Sequence, residues 1–564
     1  MIFMMKLNEI GFRRFFVLGT GLLFVVILLM DYAHKISPYT IRELGIDKIL
    51  DLARDKFVLR RQNIPNLLVT SMTLPFILAC LFFATHQGAL VGVGVVAHGV
   101  AFHFVGGKAW AHFAASAVAY VLVELWKLAI ALKELRDWRA AIKAAEEGGE
   151  GDKGEKKRVL ILYANVGSGH KSAANAIEEA LKERDMGVMV EKLDVLDLCS
   201  PAFRFAMQTM FQKLTQTLAG QHMLGYLYDM GDHGNEKGKV QRALEDAAGI
   251  GLAKVLTRFR PTNIVCTHFL PCQLVGTLKR TSSVLAGRIR LGLVITDLDL
   301  QSMWVQEGAV DVYYLPREDS DVVLKEYERQ GKERREKRKR KKSVVKLPKL
   351  KDKLSSVSKS VISGIPIMPR FARAVDKMVE GGEFKVEALK EFGLDPGDKR
   401  PVVLVMSGGK LIKQVFENCL ACKVGLRFVV VMGRQADARD VLEKVEVPER
   451  HGVTLVGFCK EMPKLLAAAD LMVGKCGGLT AAENAALGVP IVILDPIPGQ
   501  EQRNSDILLE SGGCIKVNDL PLLTRRLEEI FGDKGEKIKF MRRGMKKLAK
   551  PNSAYTIVDD VLGA

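Results

Sequence analysis

Two hydropathy regimes divide this chain. Up to about residue 135 apolar residues come in long runs, and beyond residue 157 they come in short runs spaced by helical stretches. Phe15–Met30 is broken only by Thr20 and two glycines, and Asn66–Ala84 carries Pro75, which a membrane helix tolerates. Gly88–Val105 and Ala109–Leu132 are weaker runs holding His98, His103, His112, Glu124 and Lys127. Runs of this length predict an all-α transmembrane region at 1–135, with 3–4 spans. No small-residue cleavage site follows the first run, so it does not read as a removable signal. Between the first two runs, Ile41, Leu44, Ile49 and Leu52 give Lys35–Arg61 one apolar helical face. A segment of that kind suits a cytoplasmic membrane surface, and the positive-inside tendency then favours three spans.

A polar, Gly-rich linker at 136–157 ends in EEGGEGDKGEKK. After it, Val159–Tyr163, Val188–Leu193, Ile264–Thr267 and Leu291–Thr296 read as strands of one parallel sheet. Val402–Met406, Arg427–Met432, Val453–Gly457, Leu471–Gly474 and Ile491–Leu494 read as strands of a second. Alternation of short strands with helices predicts an α/β protein with two doubly wound, Rossmann-like domains. The boundary is expected near Gly364-Ile365-Pro366, giving domains at 158–365 and 366–564.

Charge modifies this picture at one place. The chain carries a net +18, and Arg329–Lys353 holds 14 Lys/Arg against 3 Asp/Glu, a net +11. Such a basic insertion (329–353) suits nucleic acid, anionic membrane lipids, or a solvated segment that touches nothing. The nine cysteines form no disulfide framework, which points to a reducing compartment. The one C-x-x-C pair, Cys419 and Cys422, falls on an expected helix and reads as buried side chains.

Candidate chemistry lies at the strand ends. In open α/β sheets ligands bind beyond the carboxyl ends of the strands. Gly167-Ser168-Gly169-His170, Thr296-Asp297, Ser407-Gly408-Gly409 and Gly477-Gly478-Leu479-Thr480 with Glu483 all occupy that position, and Pro498-Gly499-Gln500-Glu501 follows. Helix N-termini there offer free N–H groups to an anion. The first turn fits neither a Walker loop nor a full G-x-G-x-x-G fingerprint. Two glycine turns in separate halves suggest a substrate held between the domains.

Eight segments in order carry a resemblance: GSGHKSAANAI (167–177), THFLP (267–271), TDLDLQSMW (296–304), GIPI (364–367), MSGGK (406–410), GFCKEMPKLL (457–466), GGLTAAENAALGVP (477–490) and PGQEQRN (498–504). The chain resembles glycosyltransferase family 28, the branch of monogalactosyldiacylglycerol synthases and diacylglycerol glucosyltransferases. The resemblance implies a GT-B fold, with the UDP-sugar in the C-terminal domain and the acceptor facing the N-terminal one. It implies that the helix from Gly478, with Gly477, Leu479 and Thr480, meets the UDP diphosphate, and that Glu483 accepts hydrogen bonds from the ribose. Gln500 and Glu501 then hold the sugar, Phe458 and Met462 flank the uracil, and Ser407, Gly408 and Gly409 complete the donor side. Gly167, Gly169, His268, Gln301 and Trp304 fall on the acceptor side.

The family inverts at the anomeric carbon, which requires a base for the acceptor hydroxyl. His170 is the first choice, since an imidazole needs little tuning and matches the family's loop histidine. Asp297 is the alternative, as base or as the group orienting the histidine. Related sequences usually carry a histidine where Gln301 stands, and glutamine cannot titrate near neutral pH. Asp297-Leu298-Asp299 spells a D-x-D, but it lies inside the segment ending at Trp304, so no metal and no cofactor beyond the UDP-hexose donor is expected. The implied activity is transfer of galactose or glucose from a UDP-sugar to diacylglycerol or a related lipid. Anionic membrane lipids are the expected further partner and nucleic acid is not. The implied location is an integral membrane protein with its catalytic part on the cytoplasmic, or stromal-equivalent, side. Two other readings are an N-acetylglucosaminyltransferase acting on a polyprenyl-linked peptidoglycan precursor and a catalytically impaired membrane scaffold.

Overall fold

The computed structural model describes residues 157–199, 251–341 and 358–563, apart from 185, 282, 307, 407–410, 434–436 and 533–534, and also residues 140, 204, 205 and 220. The expected membrane region at 1–135 lies outside the described residues, as does most of the linker at 136–157. Among the described residues no helix is long and apolar enough to cross a membrane.

Strands β1 (Arg158–Tyr163), β2 (Met189–Asp194), β3 (Asn263–Cys266), β4 (Arg290–Val294), β5 (Val312–Leu315) and β6 (Lys359–Ile362) form one parallel sheet in the order β2-β1-β3-β4-β5-β6. Strands β7 (Val402–Met406), β8 (Arg427–Val431), β9 (Gly452–Val456), β10 (Leu471–Gly474), β11 (Ile491–Leu494) and β12 (Cys514–Val517) form a second, in the order β12-β11-β10-β7-β8-β9. The central strands are apolar throughout because helices cover both faces, as parallel sheets require. All nine strands expected from the sequence are present. β5, β6 and β12 were not anticipated: KSVI and CIKV are edge strands whose polar positions blunt the apolar signal, whereas VYYL of β5 is a buried β-branched and aromatic run that was legible and went unread.

Helix α1 (Ser168–Arg184) follows β1 and buries Ala174, Ala176, Ile177, Ala180 and Leu181 against the first sheet. Helix α2 (Phe269–Thr281) follows β3. The basic run starts inside helix α3 (Asp319–Lys341), where Arg329 pairs with Glu326 at 2.7 Å and with Glu333 one turn further on. The remainder of that run, from 342, lies outside the described residues.

The chain leaves the first sheet at Gly364, whose φ of +82° and 2.4 Å clearance from an ideal Cβ to the Lys550 Cβ admit only glycine. Helix α4 (Pro369–Glu380) starts the second half, which also contains α5 (Met462–Ala468), α6 (Gly478–Leu487) and α7 (Gln500–Ser511). The last helix, α8 (Ser553–Leu562), packs on the first sheet. Ala554, Ile557, Val558, Val561 and Leu562 are buried with Val159, Ile161 and Val312, and Asp560 accepts from Arg290 and Tyr314 at 2.8 Å. The helical stripe of α8 is complementary to the sheet face left open beside α1, so residues 553–562 pack with the first sheet although they follow the second in the chain.

Candidate active site

Both sheets reverse their strand order once, and each glycine turn lies where that happens. In the second sheet the crevice falls between β7 and β10, and Gly477-Gly478 leads from β10 into α6. In the first it falls between β1 and β3, where Gly167–His170 opens α1 and Thr267-His268 leads into α2. Diverging connections at such points leave a ready-made ligand crevice.

The two crevices meet. An ideal Cβ on Gly478 would sit 2.0 Å from the Thr296 carbonyl oxygen, so only glycine lets α6 approach the β4 loop this closely. Gln500 Nε2 donates to both Asp297 oxygens at 2.6 Å, and Asn504 Nδ2 donates to Oδ1 at 3.1 Å. Arg503 pairs with Asp299 at 3.1 Å.

His170 is half-buried in the first turn of α1. Its Nδ1 lies 3.0 Å from the Thr267 carbonyl oxygen and 3.0 Å from Thr296 Oγ1. A carbonyl only accepts, so Nδ1 carries the proton and Nε2 keeps its lone pair. Burial lowers the His170 pKa to about 4, leaving the ring neutral near pH 7. Asp297 does not orient this histidine. Its carboxylate is taken up by Gln500 and Asn504, and the orienting groups are Thr267 and Thr296.

His268 stands edge-on to His170, with ring centroids 4.4 Å apart, and stacks on Phe269 at 4.3 Å. Its Nδ1 accepts the Leu270 N–H, which puts the proton on Nε2, and burial holds its pKa well below the ordinary value. Trp304 closes the group at 6.2 Å from His170 and 6.0 Å from His268. Gln301 is fully buried, and neither amide atom has a hydrogen-bond partner among the described residues. An unpaired buried amide costs about 1–3 kcal/mol per group, so the site holds unused hydrogen-bonding capacity. Gly167 and Gly169 have open space where a Cβ would project.

On the opposite wall, Gly477, Gly478, Leu479 and Thr480 form the start of α6. Glu483 is one turn on. Burial raises its pKa to about 7, while the Arg370 guanidinium on α4 acts in the opposite direction. Glu501 accepts the Ile497 N–H at 2.7 Å, and burial raises its pKa as well. Met462 packs partly against the core at the start of α5, and Phe458 projects 58% exposed before it. Ser407, Gly408 and Gly409 lie outside the described residues. Burial likewise pushes the Asp297 pKa up to about 6, with the Gln500 and Asn504 amides pulling it down.

Sequence reasoning placed Thr296 at a ligand-side strand end without naming its partner, and it assigned no role to Thr267, Arg370 or Asn504. Only Asn504 carried a readable signal, since its i+4 spacing from Gln500 puts both on one helix face.

The model of the monogalactosyldiacylglycerol synthase domain matches residues 170–334, and that of the glycosyltransferase family 28 C-terminal domain matches residues 402–559. The chain belongs to glycosyltransferase family 28. It is 26% identical over 413 residues to a processive diacylglycerol beta-glucosyltransferase of Bacillus pumilus, covering 72% of this chain and 94% of that protein. It is 27% identical over 436 residues to a probable chloroplastic monogalactosyldiacylglycerol synthase of Glycine max, covering 73% and 72%. Among solved structures, the MurG of Acinetobacter baumannii is matched over 72% of this chain and all of that one, at 14% identity and a TM-score of 0.46.

Proposed function

We propose that this family 28 enzyme is an inverting hexosyltransferase that moves a sugar from a UDP-hexose to the hydroxyl of diacylglycerol or a closely related membrane lipid. The observation that carries this reading is the closure of the two switch-point turns on one another. It sets the neutral His170 of the first half and the α6 N-terminus of the second on one cleft.

In the reaction, Nε2 of His170 takes the proton of the lipid hydroxyl as its oxygen attacks the anomeric carbon. The bond from that carbon to the UDP oxygen breaks on the opposite side, and configuration inverts. The departing diphosphate is met by the free N–H groups at the start of α6 and by Thr480, with no metal required. Glu483 receives the ribose hydroxyls, Gln500 and Glu501 hold the sugar, and Phe458 and Met462 border the base. His268, Trp304 and the unpaired amide of Gln301 line the acceptor side. Lowered basicity of His170 suits a group that must be neutral before it acts, and the negative charge of a bound diphosphate raises it.

The apolar runs at 1–135 anchor the enzyme in the membrane with its catalytic part at the cytoplasmic face. The basic run from 329 meets anionic headgroups there. Tethering keeps the cleft at the surface that contains the acceptor, which raises effective concentration without any new contact. Membranes carrying the protein, incubated with labelled UDP-glucose or UDP-galactose, are expected to yield a labelled glycolipid with inverted linkage, and transfer is expected to survive chelation. Absence of labelled lipid with both donors overturns the reading.

A further inference from the structure

Helix α7 presents three polar residues, Gln500, Arg503 and Asn504, to a single loop of the other half of the molecule. Asn504 is fully buried and uses both ends of its amide. Its Nδ2 donates to Asp297 Oδ1 at 3.1 Å, and its Oδ1 accepts the Leu298 N–H at 2.9 Å. That pairing fixes the amide orientation, because the carboxylate needs a donor and the backbone N–H needs an acceptor. Gln500, which the proposed function assigns to the sugar, here spends its amide on Asp297. A donor sugar that engages Gln500 draws it from the carboxylate, and Asn504 is then the tie that remains.

We infer that Asn504 is a positioning residue for the transfer reaction: it holds Asp297 and the β4 loop in register with the donor-side helix while Gln500 exchanges between Asp297 and the sugar. The inference rests on the proposed function for the identity of the reaction, but the tie itself rests on geometry alone. The groups around Asp297 define what its loss does. Asp299 on the same loop and Glu501 on α7 both disfavour the charged carboxylate, and Arg503 is paired with Asp299. His170, bonded to the neighbouring Thr296, is neutral near pH 7. The amides of Gln500 and Asn504 are therefore the hydrogen bonds that hold Asp297 ionised.

The test compares Asn504→Ala, Asp297→Asn and the exchanged pair Asp297→Asn/Asn504→Asp in the full-length enzyme in vesicles of neutral lipid and diacylglycerol. Asn504→Ala is expected to lower kcat on the order of 10- to 100-fold with a much smaller change in the donor KM. The acid limb of kcat, read at saturating donor, is expected to move to higher pH, since the carboxylate has lost a donor. The exchanged pair restores the amide–carboxylate bond with the charge on the other side. It is expected to recover the thermal midpoint and UDP affinity of wild type but not its turnover. A uniform loss with an unmoved acid limb, or no recovery in the exchanged pair, overturns the positioning role. Absence of any glycolipid product from wild type defeats the functional reading instead. In that case UDP affinity across wild type, Asp297→Asn, Asn504→Asp and the exchanged pair decides the tie: coupling of threefold or more between the two positions supports it, and additive effects overturn it.

Discussion

The two walls of the cleft are built on the same topological plan and tuned in opposite directions. The wall from the first sheet is aromatic: His170, His268, Phe269 and Trp304 contact one another, and burial depresses both histidines. The wall from the second sheet offers helix N–H groups and two carboxylates, Glu483 and Glu501, which burial raises. A lipid alcohol and a charged nucleotide differ in the same way. On the proposed function, one wall keeps a neutral base and the other receives an anion at the N–H groups of a helix start. One strand-turn-helix plan thus serves two chemistries, with the side chains beside each turn making the difference.

The sharpest way to break this comparison is to remove the proposed base. His170→Ala is expected to lower kcat by about 10²–10⁴-fold. UDP affinity should remain within a few-fold of wild type, as measured by calorimetry. Near-normal turnover would show that the first wall does no proton chemistry. Next in size is the contact between the walls. Gly478→Ala puts a methyl 2.0 Å from the Thr296 oxygen, which backbone cannot accommodate without shifting. A loss of about 1–3 kcal/mol in unfolding free energy is expected, with a drop in kcat/KM that exceeds the drop in UDP affinity. Equal loss of both would place the damage on the donor side alone.

Acid sensitivity should also separate the walls. On the proposed function the Glu483 carboxylate accepts the ribose hydroxyls, and its raised pKa then means that protons compete with the nucleotide below about pH 7. UDP affinity is expected to fall by up to about tenfold per pH unit below that value, and Glu483→Gln should flatten the profile. For folding the sign is reversed. A raised carboxyl pKa gives stability that is full below the unfolded value of 4.5 and lost as pH rises toward 7, so Glu483→Gln should gain stability relative to wild type across that window. The smallest effect is expected from the basic run. Deleting residues 329–353 should weaken transfer a few-fold more in vesicles with anionic lipid than in neutral ones, and equal losses would remove the headgroup contact from the account.

Much of the site could be read from residue order because strand-end glycine turns have a local cause. A short apolar run followed by Gly-rich sequence and an Ala-rich helix specifies its conformation within some twenty residues, and GSGH and GGLT both do so. β6 and β12 were hidden for the complementary reason, since edge strands with polar positions owe their pairing to neighbours far away in sequence. The partners of His170 were equally hidden. Thr267 and Thr296 look like ordinary strand-end residues until β1, β3 and β4 lie side by side.

By itself, then, the sequence determined the two turns, the helices they open and the residue types placed at each, because these depend on local periodicity and backbone sterics. Tertiary structure alone decided that α8 returns to the first sheet, that Gly478 meets the Thr296 carbonyl, and that Asp297 is held by Gln500 and Asn504 rather than by the histidine. Those pairings join residues about two hundred or more positions apart, so no local signal records them, and burial in the assembled cleft is what sets their charge.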